Sequence, residues 1–572
     1  MKIFYRYIRP YMKRVIGGMS LKFVGTVMDL LLPWLLAYVL DNVVKSGDTG
    51  RVYLYGGLMV LCALLALLGN VLANRSAASV ARDVTWNIRH ELFAKILRLS
   101  SREIDRFTIP SLISRMTTDT YYIYRMIGMI QRIGIRAPIL LIGGIAITLT
   151  LDVPLTGLLV AVLPFMALII WYISKKGVPL YAALQKKTDT LVRVVRENIT
   201  GMRIIKALSK TEDEKRRFGD INNDVAASET KASSIMAVNS PIMQLLLNAG
   251  LVLVIFIGAR RVSAGYVGVG TIIAFQTYFT IILNAMLAIT RILTMYSKAI
   301  ASAERVEEVL RGETEDSPDR LADAVPGAPH IEFRDVSFSY NKRREDLAGL
   351  SFALKRGQRL GILGPTGSGK STVIKLLLRL YDADAGEILI DGVNVKDMNL
   401  AALRSRFGVV FQNDAVFHGT IGDNIRLDRE LPMEDIMRAI SDAQAAEYIG
   451  EKGGLDAEIV SRGQNLSGGQ QQRLLIARAL AGSPDILLLD DSSSALDFST
   501  EAKLRQALRE RGGDTTVITV AQRISAVMHC DQILVLEDGV PCGLGTHQEL
   551  MQACDLYREI ATLQIGGEDD AA

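Results

Sequence analysis

A glycine-rich segment in the second half of the chain has the residue types and spacing of a phosphate-binding loop. Gly364-Pro-Thr-Gly-Ser-Gly-Lys-Ser-Thr372 matches the pattern in full, follows a predicted strand at Leu360–Leu363 and opens a predicted helix through Val373–Leu380. In such a loop, backbone N–H groups surround the β-phosphate of a nucleotide, the lysine reaches the β- and γ-phosphates, and the next hydroxyl coordinates Mg²⁺. A glycine-rich turn without function is the alternative, and the strand, the helix and the complete pattern together argue against it. The predicted phosphate-binding residues are Gly364, Thr366, Gly367, Ser368, Gly369, Lys370, Ser371 and Thr372.

An acidic residue ends another predicted strand downstream of this loop. Ile486–Leu489 is uniformly aliphatic, as in a buried strand, and Asp490 follows it directly. In phosphate-loop ATPases an aspartate at such a strand end holds Mg²⁺. Alone the pattern is weak, because many strands end in aspartate, but its position after a phosphate loop makes it specific. We therefore expect Ser371 and Asp490 to hold one magnesium ion, the aspartate through water.

A pentapeptide between these two motifs has the composition of a second anion site. Leu466-Ser-Gly-Gly-Gln470 precedes a predicted helix, so its serine and glycines would lie at a helix N-terminus. Backbone N–H groups and the helix dipole favour anions at that position. An ordinary helix cap with a flexible turn is the alternative if the pentapeptide is taken alone. The predicted contact residues are Ser467, Gly468, Gly469 and Gln470.

These motifs lie in a part of the chain, residues 330–572, that has the composition of a soluble α/β domain. Residues Ile331–Tyr340 alternate like a half-buried strand. Short aliphatic strands then alternate with helices, which predicts a largely parallel sheet. The acidic, proline-bearing segment 312–329 before the domain is interpreted as a linker. The aliphatic strands are predicted at Leu360–Leu363, Ile486–Leu489, Thr516–Val520 and Gln532–Leu536.

Six long apolar runs occupy the part of the chain before the linker. The whole chain has 572 residues, is 49% hydrophobic and has a mean hydropathy of +0.24, which is high for a soluble protein of this size. A membrane-spanning helix needs about 20 mostly apolar residues, and each run reaches or nearly reaches that length. We therefore predict a transmembrane domain of six helices with long cytosolic extensions over residues 1–311. The runs are Val15–Leu40, Tyr55–Leu72, Gly128–Leu151, Leu155–Ile173, Ala237–Ala259 and Val269–Ile289.

Composition excludes several other classes of protein. Lys and Arg number 65 and Asp and Glu 61, so the net charge is +4 and no strong field points to nucleic acid as a partner. The four cysteines show neither metal-ligand pairing nor a disulfide framework. A soluble ATPase on a membrane anchor is also excluded, because six spans exceed what anchoring requires.

The distribution of basic residues predicts the orientation of the chain in the membrane. The first fourteen residues are basic without an acidic residue, and both long connections between spans are rich in Lys and Arg. The positive-inside rule then places the N-terminus, these connections and the ATPase domain in the cytosol. Basic and apolar residues alternate at helical spacing before the first span, which is typical of a helix that contacts lipid in the interface, with a bend at Pro10. Arg260 and Arg261, after the fifth span, are an exception to the rule.

Two charged residues interrupt the first apolar run. Lys22 and Asp29 are seven residues apart and therefore lie on one face of a helix. Because charges are costly in lipid, we expect them to face protein or a water-filled cavity. A partner on the same helix or at a helix end is the alternative.

The order of the motifs resembles that of the ATP-binding cassette (ABC) transporters, and the six-span half resembles their exporter type. The resemblance covers nearly the whole chain, and the pentapeptide Leu466–Gln470 is its most specific element. It implies that the chain binds ATP and Mg²⁺. It also implies a second half-transporter as partner, because in this family two chains hold two ATP molecules, each between the phosphate loop of one chain and the signature pentapeptide of the other.

The resemblance implies further roles. Tyr340 matches the aromatic residue that stacks on adenine. Gln412 matches the glutamine that senses Mg²⁺ and the membrane domain, and Ser494–Asp497 matches the loop that communicates between the two nucleotide sites. The cytosolic connections near Ser101–Thr118 and Val194–Lys206 would carry the coupling helices that dock on the ATPase domains.

Two positions depart from the family pattern. Asp491 stands where the family has the glutamate that aligns the attacking water, and its carboxylate is withdrawn by about 1.5 Å. A general base needs an approach of about 2.6–3.2 Å, so this difference matters. Gln522 stands where the family has the switch histidine, and its amide donates a hydrogen bond but carries no proton or charge. The two substitutions together resemble the catalytically degenerate subunit of bacterial heterodimeric ABC multidrug exporters.

These departures predict a heterodimer in which the chain's own site retains ATP and Ser467–Gln470 completes the competent site of the partner. The alternatives are a homodimer that hydrolyses slowly through Asp491 and exports lipid or peptide, and an ATP-regulated membrane protein without transport. The expected cargo is a small amphipathic compound such as a drug. Met286 and Met295 in the sixth span suit varied apolar ligands, although ordinary helix packing explains them equally well.

Overall fold

The structure is a computed structural model, and it describes residues 2–318, 324–460, 463–511 and 514–565. Two compact units are present. The first comprises Met1–Leu97 and Pro110–Arg311, and the second comprises Arg98–Ile109 and Gly312–Ala572. The division after Arg311 lies at the start of the predicted linker, of which residues 319–323 lie outside the described part.

The first half of the chain is helical throughout. All of its α-helices lie in the first unit except α4 and the first residue of α5, which belong to the second unit. The helices are α1 Lys2–Ile8, α2 Met12–Tyr38, α3 Thr49–Ile96, α4 Ser101–Phe107, α5 Ile109–Ser114, α6 Thr120–Met129, α7 Arg136–Leu151, α8 Val153–Thr200, α9 Met202–Ala207, α10 Thr211–Ala237, α11 Asn239–Ser263 and α12 Val269–Arg311.

Six helical segments among the described residues are long and apolar enough to cross a membrane, which confirms the predicted number of spans. Several helices continue well beyond the apolar runs. Helices α3 and α8 have 48 residues each and are therefore about 72 Å long, far more than a bilayer requires. The six segments are Tyr5–Ser46, Thr49–Ile96, Ile109–Leu151, Val153–Thr200, Thr211–Ser263 and Val269–Ile289.

Short irregular segments connect or interrupt these helices. A 3-10 turn at Arg9–Tyr11 separates α1 from α2, as expected where Pro10 lacks an N–H group to continue the helix. A second 3-10 turn, Val44–Ser46, precedes α3. The π-helical segments are Val39–Val43, Arg115–Asp119 and Ile130–Gly134.

The two charges in the first span face other helices, as the sequence predicts. Lys22 is 3% exposed, and its Nζ donates to Oδ1 of Asn74 on α3 at 3.1 Å. Asp29 accepts from Asn70 of α3 at 3.2 Å and from Arg136 of α7 at 3.1 Å. The alternative of partners on the same helix is therefore wrong for these side chains.

The basic residues after the fifth span also have partners within the first unit. Arg261 at the end of α11 donates from Nε and Nη2 to one oxygen of Asp152, at 3.0 and 2.7 Å. Asp152 also caps α8 by accepting from the N–H of Leu155 at 2.9 Å. The Arg260 guanidinium lies 4.7 Å from the ring centroid of Phe256. Asp152 therefore compensates the charge of Arg261, whereas Arg260 is stabilised, among the described residues, only by its contact with the Phe256 ring.

The second unit contains a mainly parallel sheet and two smaller sheets. The six-stranded sheet has the order β12-β11-β3-β10-β9-β6, and all of its pairs are parallel except β11 with β12. An antiparallel sheet has the order β2-β1-β4-β5, and β7 pairs with β8. The strands are β1 Ile331–Phe338, β2 Leu347–Leu354, β3 Arg359–Leu363, β4 Ala385–Ile390, β5 Val393–Asn394, β6 Phe407–Val410, β7 Gly419–Thr420, β8 Glu458–Ile459, β9 Ile486–Asp490, β10 Thr516–Val520, β11 Gln532–Glu537 and β12 Val540–Gly545.

Helices pack against these sheets on buried aliphatic faces, such as that formed by Ile374 and Leu377 in the core of β1, β3 and β9. They are α13 Lys370–Leu377, α14 Leu400–Ser405, α15 Ile421–Arg426, α16 Met433–Asp442, α17 Ala446–Glu451, α18 Gly468–Leu480, α19 Phe498–Glu510, α20 His547–Ala553 and α21 Asp555–Ile565. The predicted parallel sheet is confirmed. The antiparallel sheet was not predicted beyond its first strand.

Some predicted ends of elements are wrong by a few residues. The helix after the phosphate loop ends at Leu377 rather than Leu380, because Arg379 has a left-handed backbone (φ 49°). The N–H of Leu380 then bonds the carbonyl of Lys375 at 2.9 Å, which closes the helix. Strand β1 ends at Phe338, so Tyr340 lies just outside it.

Candidate functional site

The parallel sheet brings the separate sequence motifs to one edge. Strands β3, β10 and β9 are neighbours, and Val520 is in register with Ile362 on one side and Asp490 on the other. The carboxyl ends of parallel strands therefore place the phosphate loop, Asp490 and Gln522 side by side. Ligands of open α/β sheets bind at this edge.

A cavity of about 310 Å³ lies at this edge. Nearly every predicted residue of the chain's own nucleotide site lines it, and so do residues that were not predicted. The predicted residues in the lining are Tyr340, Thr366, Gly367, Gly369, Lys370, Ser371, Thr372, Gln412, Asp490, Asp491 and Gln522. Asp346 and Lys375 are additional lining residues.

The phosphate loop requires glycine where backbone segments approach closely. Gly369 has φ +93°, and a Cβ there would lie 2.7 Å from the carbonyl oxygen of Asp346. At Gly364, a Cβ would lie 2.1 Å from the carbonyl oxygen of Leu536 on β11. These contacts keep the loop against the sheet, where its N–H groups lie at the start of α13.

Lys370 is folded onto the loop that carries it. Its Nζ donates to the carbonyl oxygens of Gly364 at 2.8 Å and Pro365 at 2.6 Å. Burial lowers the pKa of Lys370, and the carboxylates of Asp490 and Asp491 oppose this shift. The ammonium group is therefore a buried donor held against the loop.

A buried hydroxyl in the loop is a second indication that the loop fits a bound phosphate. The Oγ of Ser368 is buried and has no hydrogen-bond partner among the described residues. A buried hydroxyl without a partner is costly, and a phosphate oxygen within the loop would satisfy it. The residues present therefore fit a nucleoside triphosphate.

Ser371 and Asp490 form the pair expected at a magnesium ion. The Ser371 Oγ donates to Oδ1 of Asp490 at 3.0 Å. Burial raises the pKa of Asp490, and the hydrogen bond from Ser371 opposes the shift. The part of the chain that the structure describes has no group of three or more His, Cys, Asp and Glu side chains that would hold a metal alone. A hydroxyl and one carboxylate instead suit Mg²⁺, which takes its remaining ligands from phosphate and water.

Asp491 and Gln522, the two positions that depart from the family pattern, contact each other. The Nε2 of Gln522 donates to Oδ2 of Asp491 at 3.3 Å. Asp491 has a left-handed backbone (φ 50°), and its N–H bonds the carbonyl of Val520 at 2.9 Å. The carboxylate is therefore held towards the neighbouring strand end rather than left free in the cavity.

Tyr340 lies beside the loop with its ring already in an aromatic cluster. Its ring is edge-on to Phe338 and Tyr381, at 4.8 and 5.1 Å between centroids. Lys375 lies over the ring at 5.2 Å, and the Tyr340 hydroxyl lies 3.3 Å from Oγ1 of Thr372. Sequence reasoning missed Lys375, although its place five residues after Lys370 on the same short helix was a usable signal.

The signature pentapeptide does not line this cavity. Ser467 instead caps α18, where its Oγ accepts from the N–H of Gln470 and the Gln470 side chain accepts from the N–H of Ser467, at 3.3 and 3.0 Å. Gln472 on the same helix donates to the Ser494 hydroxyl at 3.1 Å and accepts from the N–H of Ala495 at 3.0 Å. The signature is thus joined to the loop Ser494–Asp497 and separate from the phosphate loop of its own chain.

Six candidate spans joined to a phosphate-loop ATPase domain define a nucleotide-driven membrane protein, and comparison with known proteins specifies the family. The ABC transporter transmembrane region matches residues 15–286, and the ABC transporter domain matches residues 347–494. The chain belongs to the ABC transporter family and has the architecture of an exporter half-transporter. It is a multi-pass membrane protein with a cytosolic ATPase domain.

Relatives and a solved structure cover almost the whole chain. The uncharacterized ABC transporter ATP-binding protein Rv1273c of Mycobacterium tuberculosis is 35% identical over 98% of this chain and 97% of its own length. YfiB of Bacillus subtilis, with the same description, is 35% identical over 98% of both chains. The structure of a bacterial Atm1-family ABC exporter with ATP bound has a TM-score of 0.80 and 26% identity, over 97% of this chain and 98% of that chain.

Proposed function

We propose that this protein is one half of an ATP-driven heterodimeric exporter that moves small amphipathic compounds, such as drugs, out of the cytosol. Its own cavity binds Mg²⁺-ATP through the phosphate loop, Ser371 and Asp490, with Tyr340 beside the adenine and Gln412 near the metal. Its Ser467–Gln470 completes the nucleotide site of a second half-transporter. The other partners are membrane lipid and the cargo, and none is a nucleic acid.

The contact between Gln522 and Asp491 carries the proposal of asymmetry. A general base must reach the water that attacks the γ-phosphate, and the short side chain of Asp491 is instead bonded to Gln522 at 3.3 Å. Gln522 also supplies no proton or positive charge to the phosphate. The own site therefore binds ATP and turns it over slowly, whereas the capped signature helix remains intact for the partner.

The segment Arg98–Ile109 supplies a route by which the ATPase domain drives the membrane helices. It lies between α3 and α5 in the chain but packs in the second unit. The N–H of Ser100 bonds the carbonyl of Glu313 at 3.0 Å, and the Tyr381 hydroxyl donates to Asp105. Burial, and then this hydrogen bond, raise the pKa of Tyr381, so the hydroxyl remains protonated and donating at neutral pH. We infer that α4 is a coupling helix.

Purification of the full chain alone and with its partner half-transporter tests the proposal. The chain alone should bind ATP with little hydrolysis, and the complex should hydrolyse ATP and transport an amphipathic dye into inverted vesicles. Brisk hydrolysis by the chain alone would show a functional homodimer. ATPase activity of the complex without vectorial transport would favour an ATP-regulated membrane protein.

A double variant provides the matched gain-of-function control. Asp491→Glu with Gln522→His restores the residue types that the family pattern has at these positions. It should raise hydrolysis at this chain's own site, by at least about tenfold if positioning of water is what limits turnover. No increase, with ATP binding intact, would contradict the assignment of these residues as the cause of slow turnover.

A further inference from the structure

The chain that follows the last membrane helix is fastened within the second unit by Arg404. This arginine lies on α14, and its Nη1 and Nη2 donate to the two carboxylate oxygens of Glu315 at 2.7 and 2.8 Å. Two parallel hydrogen bonds of this kind fix orientation as well as distance. We call the segment Glu313–Pro318 the strap. Its position is set by α14, although its composition is that of a linker.

Arg404 also contacts the end of the phosphate-loop helix α13. Its Nε donates to the carbonyl oxygen of Leu378 at 3.2 Å, and its Nη2 donates to that of Arg379 at 3.0 Å. These carbonyls belong to the turn that ends α13, where a helix has no partners of its own for its last carbonyl groups. One side chain thus joins the strap to the helix that begins at Lys370.

Two further hydrogen bonds hold the strap against α14. The N–H of Leu400 bonds Oγ of Ser317 at 3.0 Å. Nδ2 of Asn399 donates to the carbonyl oxygen of Pro318 at 3.2 Å. The apolar face of α14 is itself buried in the same core as α13. The strap, α14 and α13 are therefore held together as one group.

The first residues of the strap pair with the chain just before α4. The N–H of Ser100 bonds the carbonyl of Glu313 at 3.0 Å. The N–H of Glu315 bonds the carbonyl of Arg98 at 3.1 Å, which completes a short antiparallel bridge. Ser100 also caps α4, because its Oγ accepts from the N–H of Glu103 at 3.4 Å. The start of α4 is therefore bonded to the strap.

The space beside these contacts is open rather than packed. A cavity of about 320 Å³ is lined by the strap, by the turn after α13 and by Ser100 and Arg102. Packed side chains transmit a displacement, whereas a cavity does not. The polar contacts of Arg404 and the strap therefore form a direct connection from α13 to α4, in addition to the contact of Tyr381 with Asp105.

We propose that Arg404 and Glu315 are positioning residues that pass a displacement of α13, caused by ATP at the phosphate loop, through the strap to α4. Helix α13 has eight residues and is about 12 Å long, so a shift at Lys370 also moves its last turn. Arg404 bonds that turn and then displaces Glu315. Neither residue lines the nucleotide cavity, so both act on coupling and not on ATP binding. The proposal rests on the proposed role of α4 as a coupling helix.

Hydrogen exchange of the full chain, purified with its partner half-transporter, tests this connection without measuring transport. Mass spectrometry follows backbone exchange of residues 98–101 with and without Mg²⁺-ATP. ATP should slow exchange there by about fivefold, the worth of one hydrogen bond, because the nucleotide holds α13 and α13 holds the strap. In Arg404→Gln this ATP effect should be absent, while the chain still binds ATP.

Two other variants complete the comparison. Glu315→Ala leaves the bonds of Arg404 to the two carbonyls and should also abolish the ATP effect, so the test stands even if Arg404→Gln does not fold. Arg334→Gln is the matched control, because Arg334 forms the same two-bond pair with Glu332 inside β1, at 2.9 and 2.8 Å. It should leave the ATP effect unchanged.

A double variant tests whether the two residues act in series. Arg404→Gln with Glu315→Ala should reduce the ATP effect no further than Arg404→Gln alone, because both changes break one connection. Additive losses would show two independent contributions and would contradict the proposed series.

Transport by the same variants distinguishes positioning from a purely structural role. In Arg404→Gln the complex should hydrolyse ATP at close to the unaltered rate. The amount of amphipathic dye transported per ATP should fall at least about threefold. A pair that only stabilises the fold would instead lower hydrolysis and transport together.

Several outcomes would overturn the proposal. No ATP effect at residues 98–101 in the unaltered chain, an effect that persists in Arg404→Gln and Glu315→Ala, or equal losses of hydrolysis and transport would each do so. If the exchange results are as expected but the unaltered complex does not transport, the connection stands and the exporter function fails.

Discussion

At the scale of single residues, Lys370 is the lysine of the phosphate loop that lines the nucleotide cavity. Its Nζ donates to two carbonyl oxygens of the loop, so the side chain lies against the loop rather than extended into solvent. Lys370→Ala should weaken ATP binding to this chain by about 10–100-fold, the worth of one or two hydrogen bonds to a charged group. Titration with a fluorescent ATP analogue measures this, with the exposed Lys355→Ala as control. Equal affinities would exclude Lys370 from the site.

His330 predicts a pH dependence of stability outside the nucleotide site. It is buried, and its Nε2 lies 3.2 Å from Nη2 of Arg406, which can only donate. Nδ1 therefore carries the proton and donates to Oγ1 of Thr516 at 2.7 Å. Burial lowers the pKa of His330, and Arg356 and Arg406 add to the shift, whereas Asp391 and Asp485 oppose it.

The direction in which stability changes with pH follows from the neutral state of His330 in the folded chain. Below the unfolded pKa of 6.5, the unfolded chain gains a proton that the folded chain does not. Stability is therefore full above pH 6.5 and falls as the pH decreases, by at most about 1.4 kcal/mol per pH unit from this group. Thermal unfolding of the full chain at pH 7.5 and 5.5 should show a smaller acid loss for His330→Gln, whose amide can make both hydrogen bonds. An unchanged acid loss would contradict the prediction.

The residue types in the sequence predicted most of the chain's own nucleotide site, but they did not predict the contacts between its side chains. The loop, Asp490, Asp491 and Gln522 carry local patterns and converge in one cavity, as expected. Lys375 follows the loop on α13, but its contact with the Tyr340 ring, and that of Gln472 with Ser494, join segments that are distant in the chain. Their roles depend on the distances between elements, which a single sequence does not specify.

At the scale of elements, a carboxylate joins the first and sixth spans on the outer side. Asp41 accepts from the N–H groups of Gly270 and Thr271 at 2.7 and 2.8 Å, and from the Thr271 hydroxyl at 2.9 Å. It thus caps α12 from another helix. Glycine is needed at position 270, where a Cβ would lie 2.7 Å from the carbonyl oxygen of Ala37.

This cap gives a prediction for the membrane unit. Asp41→Ala should destabilise the protein by about 2 kcal/mol, the upper end for a helix cap, because two N–H groups lose their acceptor. Asp48→Ala is the matched control, since Asp48 caps α3 with a single bond to the N–H of Arg51 at 3.2 Å. It should cost at most about 1 kcal/mol. Unfolding in a detergent titration ranks the two variants, and an equal cost would refute the inter-helix cap.

Helices and strands were predicted correctly where the sequence has a continuous apolar run. The six apolar runs and the aliphatic strands β9 and β10 are as predicted, because length and burial dominate there. The antiparallel strands β2, β4 and β5 were missed, although Leu350, Phe352 and Leu354 of β2 alternate with exposed residues at the period of a strand. β5 has only two residues, too few for a period. The end of α13 depends on the left-handed Arg379, which residue type does not predict.

At the scale of the whole molecule, the chain separates two functions that a complete nucleotide site needs together. The phosphate loop and Asp490 lie at one edge of the sheet, and the signature begins α18 outside that cavity. In the proposed heterodimer, a second chain brings its own phosphate loop to Ser467–Gln470. In that arrangement, Asp491 and the signature of this chain lie at different ATP molecules.

Two substitutions in the complex separate these sites. Gly468→Glu would place a carboxylate against the γ-phosphate held by the partner, and at about 4 Å and an effective dielectric constant of about 20 the repulsion is roughly 4 kcal/mol. The fold should tolerate it, because the nearest atom to a new Cβ is Ala495 Cβ at 3.6 Å. Gly468→Ala adds that Cβ without charge and is the control. Asp491→Asn should keep the left-handed backbone, which asparagine accepts as readily as aspartate.

We expect Gly468→Glu to abolish ATP hydrolysis by the complex, Gly468→Ala to retain a large part of it, and Asp491→Asn to spare most of it. The reason is that only the first change acts at the competent site, whereas Asp491 belongs to the slow one. A single ATPase assay on the three purified variants ranks them. If Asp491→Asn proved the more damaging change and Gly468→Glu were tolerated, hydrolysis would take place at this chain's own Asp490–Asp491 site, and the proposed asymmetry would be reversed.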